Sequence, residues 1–126
     1  MKKLFILSLI LLFLCACTKT YTLDEGRYMQ DGLVEGNGLV PYLLVQEGKL
    51  TVVPDIVISY VPSGTVSVKG NEVIMETEYA DKYCVFAFKL TDDNTLQFLS
   101  EKSELPDLFG TWDNGIIFRL ADEQGQ

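Results

Sequence analysis

From residue 26 onward, short runs of alternating apolar and polar residues follow one another, and almost every run ends in a turn signal. Alternation with a period of two puts every second side chain on one face of a strand, and closely spaced turns leave no room for long helices. Gly26-Arg27-Tyr28-Met29 opens the series, and Leu39–Gln46 and Lys49–Val53 are joined by Glu47-Gly48. Ile56–Val61 continues after the break at Pro54-Asp55, and Pro62-Ser63-Gly64 turns the chain. Thr65–Lys69 alternates strictly, which places Val66 and Val68 on one buried face; Gly70-Asn71 then links it to Glu72–Glu78, with Val73 and Met75 inward.

Lys82–Leu90 is the strongest strand, with Cys84, Phe86, Phe88 and Leu90 on one side. Thr95–Leu99 follows, with Leu96 and Phe98 inward; residues 100–110 are irregular, with room for a helical turn before Pro106. Asn114-Gly115 is the best short hairpin signal and leads into Ile116–Leu120, where Ile116, Phe118 and Leu120 align. Seven or eight short strands in sequence predict an all-β fold, a small antiparallel meander. Closing it into a barrel removes both exposed edges. An open sandwich is the alternative.

The N-terminus has a different character. Lys2 and Lys3 precede the apolar run Leu4–Leu14, which ends in Leu14-Cys15-Ala16-Cys17. Eleven residues are too few for a spanning helix, which needs ~20, but suit the core of an export signal. The end of the run resembles a lipobox, with Leu14 and Ala16 at −3 and −1 of Cys17. The resemblance implies a lipoprotein signal peptide over residues 1–16 and covalent diacylglycerol on Cys17. The alternative is ordinary cleavage after Ala16, leaving a free thiol. Two acyl chains suffice for stable anchoring at ~0.8 kcal/mol per buried methylene. The expected organisation is a lipidated tether over 17–25, a barrel domain over 26–122 and a polar tail over 123–126. The expected location is the extracytoplasmic face of the cell membrane, or the outer membrane where the cell has one.

Composition narrows the chemistry. The chain has 10 basic and 18 acidic residues, a net charge of −8. Removing Lys2 and Lys3 with the leader makes it −10, which disfavours nucleic acid as a partner. Histidine is absent from the sequence, and with it go the usual general base and zinc ligand. With Cys15 removed and Cys17 acylated, Cys84 has no intrachain partner, and its place on the aromatic face reads as a small buried hydrophobe.

Gly26-x-Tyr28, Ser59-Tyr60-x-Pro62-x-Gly64-Thr65, Tyr83-x-x-Phe86, Thr95-Leu96-x-Phe98 and Gly115-x-x-Phe118 form a spaced set. With the leader, the set resembles the small lipoproteins of Gram-positive bacteria that carry a lipocalin-like β-barrel domain. The resemblance covers about residues 26–120 and implies a fold more than a chemistry.

Candidate sites are few. The glycine-punctuated stretch 31–38 lacks the following helix of a phosphate cradle and reads as a surface loop. Asp92-Asp93-Asn94 reads as a turn, because a calcium loop needs alternating ligands and a distant Glu. Glu101, Glu104 and Asp107 read as a solvated face, and Ser59 and Ser63 have no histidine to activate them. Leu105–Trp112 puts large apolar residues on an irregular loop, either as a plug over one barrel end or as a contact patch. Tyr28, Tyr42, Phe109 and Trp112 are the candidate binding surface. The functional expectation is a membrane-anchored, non-enzymatic module that binds a protein or envelope component and needs no cofactor beyond its lipid. The alternative is a carrier or sensor of a small apolar ligand inside the barrel, and a hydrolase without histidine comes third.

Overall fold

A computed structural model of the chain describes residues 21–32, 40–54, 60–91, 94–109 and 112–121. Eight strands form a closed antiparallel barrel in simple sequence order: β1 (Gly26–Gln30), β2 (Tyr42–Gln46), β3 (Lys49–Val53), β4 (Ser63–Lys69), β5 (Glu72–Tyr79), β6 (Lys82–Leu90), β7 (Thr95–Phe98) and β8 (Ile117–Leu120). β1 pairs with β8 through Tyr28 opposite Leu120 and Gln30 opposite Phe118, which closes the cylinder. The only helical pieces among the described residues are two three-residue 3-10 turns, Ser100–Lys102 and Asp107–Phe109. The all-β meander barrel expected from the alternation is therefore the fold.

Alternation decides what lies inside. Tyr28, Leu43, Leu50, Val52, Val73, Met75, Phe86, Phe88, Leu96, Phe98 and Phe118 are each buried to within 1% of fully. Phe88 meets Phe98 and Phe118 at centroid distances of 5.9 and 6.1 Å. An eight-stranded barrel is just wide enough to be filled by side chains, and these large residues fill it.

The turns set the two ends. The base carries Glu47-Gly48, Gly70-Asn71 and the link from β6 to β7; the crown carries Ala80-Asp81 and the long excursion from β7 to β8. Glu47 and Gly48 have φ of 52° and 74°, the pair of positive angles a two-residue hairpin wants. Ala80 and Asp81 adopt the same geometry, φ 52° and 64°, without glycine or asparagine.

Several sequence expectations need correction. Val68 is 38% exposed and not buried beside Val66. β3 pairs with β4 only as far as Lys49 opposite Thr65, so the last residues of β4 project past their neighbour. β2 begins at Tyr42, because Val40 and Pro41 are not in the ladder. Of the strand expected over Ile56–Val61, Tyr60 and Val61 are outside any strand, and the rest falls outside the described residues. Asn114-Gly115 does not join two consecutive strands. It turns the end of the long excursion into β8, with Gly115 N donating to Phe98 O (2.9 Å) and Asn114 Oδ1 accepting from Ser100 N (3.0 Å).

Candidate functional site

At both barrel ends, described segments outside the strands pack against the core. At the crown, the excursion first runs along β6, where Val85 and Glu104 exchange two backbone bonds of 2.9 Å. The 3-10 turn over Ser100–Lys102 precedes this pairing, and Ala87, outward on β6, donates its N–H to Ser103 Oγ at 3.0 Å and is 1% exposed. After Pro106 the chain folds inward. Phe109 is 2% exposed and Trp112 packs against the core, 5.3–6.3 Å from Phe86, Phe98, Phe109 and Phe118. The segment is a plug.

At the base, Tyr21 and Leu23 pack against the same core. Tyr28 Oη donates to Asp24 O at 2.7 Å, Asn94 Nδ2 to Asp24 Oδ2 at 2.8 Å, and Glu47 N to Glu25 Oε1 at 2.9 Å. Burial, with the nearby Asp24 charge, pushes the Tyr28 phenol up to about 12, against the lowering effect of its bond to the Asp24 carbonyl. Residues 21–25 are thus a strap bound to the barrel, whereas the sequence suggests only a tether.

These placements sort the four candidate surface residues. Tyr28 and Phe109 are core residues with no surface to offer, and Trp112 is half-buried in the plug. The structure does not bring the four together on one surface. Tyr42 alone stands on the outer wall, with the Arg27 guanidinium over its ring at 4.6 Å.

Around Tyr42 the wall is apolar. The register sets Met29 opposite Tyr42 and Tyr42 opposite Val53, a row across three strands; one step toward the base, Arg27 faces Leu44 and Leu44 faces Thr51. Their neighbours Tyr28, Leu43, Val45 and Val52 point inward, so Met29, Tyr42, Leu44 and Val53 point out. All four are half-buried, and none belongs to the core cluster or packs against it. Arg119, opposite Met29 on β8, bounds the row and donates from Nε to Asp31 Oδ2 at 3.1 Å. The wall therefore holds both arginines of the chain.

The far side differs. β5 and β6 turn Glu76, Glu78 and Tyr83 outward, all exposed, and Lys102 from the excursion pairs with Glu72. Desolvation first, then a hydrogen bond to Glu76, raises the Tyr83 phenol above its ordinary value.

Cys84 is 1% exposed, and burial pushes its thiol up, away from the reactive thiolate. Glu101, Glu104 and Asp107 are exposed, and Asp107 pairs with Lys82 at 3.3 Å. Ser63 Oγ shares a hydrogen bond with Thr51 Oγ1 at 3.0 Å. Cys17, Ser59, Asp92, Asp93, residues 33–38 and the tail over 123–126 lie outside the described residues. Among the described residues, no group of three His, Cys, Asp or Glu side chains could hold a metal ion.

Sequence reasoning missed Arg27, Met29, Leu44 and Val53. The signal was present: Tyr42-Leu43-Leu44-Val45 and Val52-Val53 are apolar without alternation. Such runs mark strands that are apolar on both faces. The class defined here is a closed, side-chain-filled, eight-stranded meander barrel with an apolar outer wall over β1, β2 and β3. No protein family, no curated protein and no solved structure matches the chain.

Proposed function

We propose that this chain is a lipid-anchored, extracytoplasmic lipoprotein whose barrel is a non-enzymatic interaction module, similar to the small lipoproteins with lipocalin-like domains. The leader supports the anchoring half of this reading. The observation that carries the binding half is the wall around Tyr42: apolar side chains grouped by register, outside a core that does not use them. Contact surfaces are enriched in Tyr, Met and Arg and depleted in Lys and Glu, the composition found here. A filled interior argues against the carrier alternative, because a ligand cavity would have to displace Phe88, Phe98 or Phe118.

The strap relates the two halves. Cys17 lies four residues before Tyr21, a reach of roughly 14 Å at full extension. An acylated Cys17 would keep the base toward the bilayer, and the wall would stand upright, facing neighbours in the envelope.

Two readouts in intact cells test this. Labelled palmitate should mark the wild type and not Cys17→Ala. A photoreactive residue at Leu44 should give a discrete protein adduct, and one at exposed Thr65 should not. Label on Cys17→Ala overturns the anchor, and absence of any adduct specific to Leu44 overturns the module.

A further inference from the structure

Arg27 is out of place in so acidic a chain. It is exposed, and no carboxylate among the described residues pairs with it; its guanidinium lies over the Tyr42 ring. Arg119, the other arginine, donates to Asp31, and Lys82 and Lys102 pair with Asp107 and Glu72. Lys49, Lys69 and Lys89 are exposed like Arg27, but of these only Arg27 lies over an aromatic ring. A guanidinium held on an aromatic face is oriented in advance while its N–H edge stays open to an acceptor. Beside it lie Leu44, Tyr42, Met29 and Val53.

We infer that this wall binds an acidic segment of a partner protein, in which a carboxylate meets Arg27 and adjoining apolar side chains cover the Tyr42 row. The assignment rests on the interaction-module reading and adds the chemistry of the partner. In the wall itself β1, β2 and β3 are paired with one another, so a partner there is recognised by side chains and not by strand addition. The apolar row selects a protein over a purely anionic polymer, which has nothing to cover Met29, Leu44 and Val53. The net charge of the chain opposes adsorption on an anionic membrane. A desolvated carboxylate–arginine contact contributes mainly to partner choice and residence time.

The test uses the full lipidated protein in nanodiscs and a library of random displayed dodecamer peptides. Selected peptides should carry Asp or Glu beside apolar residues. Arg27→Glu should weaken them by about tenfold or more, and a second selection on that variant should turn to Lys- or Arg-bearing peptides. Tyr42→Leu, which keeps the apolar surface and removes the ring under Arg27, should weaken binding less than Arg27→Glu. Both variants should melt as the wild type does, since neither side chain belongs to the core. Selected peptides without acidic residues, or equal binding to Arg27→Glu, would overturn the assignment. So would Arg27-dependent binding to phosphatidylglycerol vesicles, or Arg27-dependent self-association in sedimentation, with no peptide selected. A Leu44 adduct in cells that survives Arg27→Glu would remove the acidic partner and leave the interaction module standing.

Discussion

Gly64→Ala should be among the most damaging methyl additions to this chain, though nothing about the backbone angle of Gly64 demands glycine. Gly64 lies in β4 opposite Leu50, with β5 on its other side. A Cβ there would sit 2.5 Å from the Glu76 carbonyl oxygen, 3.0 Å from Met75 Sδ and 3.2 Å from Thr77 Cβ. The nearest of these is backbone, held in the β5–β6 ladder, so it cannot rotate away. The clash must be relieved by moving one strand from another, which also strains the Thr77 Oγ1 bond to Ser63 O (2.8 Å). Overpacking of this kind costs about 3 kcal/mol, or roughly 12 °C or more in melting temperature for a domain of this size. Gly70 supplies the control: its φ is +61° and a Cβ there meets nothing within 4 Å, so Gly70→Ala bears only the left-handed backbone cost of about 1 kcal/mol. Thermal and urea unfolding of the two variants would decide the matter. If Gly70→Ala is as destabilising as Gly64→Ala, the close approach of β4 to β5 is wrong.

Ala80→Asn with Asp81→Gly should stabilise the domain by about 1 kcal/mol, read as a higher urea midpoint, because two non-glycine residues now hold left-handed angles in an exposed turn. Tyr28 gives a pH signature. Its pKa is about 12 in the fold and about 10 when unfolded, so its contribution is fully present below pH 10 and is lost as pH rises toward 12. Tyr28→Phe should flatten that part of the stability profile. Trp112→Ala removes ring contacts to four phenylalanines and should cost about 3 kcal/mol in urea unfolding.

The fold was legible because most strands alternate cleanly. Lys82–Leu90 reads as a strand with Cys84, Phe86, Phe88 and Leu90 inward, and it is one. Two-residue turns with glycine, such as Glu47-Gly48, were equally readable. Ala80-Asp81 carried no such signal, and its hairpin forms because the long β5–β6 ladder imposes the turn. Val68 is exposed although the alternation predicts it buried, because alternation does not reveal where a neighbouring strand stops. The site was harder. Aromatic residues on an irregular loop look alike whether they plug a barrel or await a partner, and only tertiary contacts place Phe109 and Trp112 inside. Arg27 and Tyr42 are fifteen positions apart, and their stacking follows from the β1–β2 register.

Leu43 and Leu44 are adjacent, chemically identical and on opposite sides of one strand, so together they test most directly whether the wall belongs to the outside. Leu43 is fully buried; Leu43→Asp puts an unpaired charge in the core, at a cost of several kcal/mol, and should abolish cooperative melting. Leu44→Asp should melt cooperatively, within about 1 kcal/mol of the wild type, while the adduct formed from a photoreactive residue at Tyr42 disappears. Equal loss of folding in both variants would mean that Leu44 serves the core and that no wall is left for a partner.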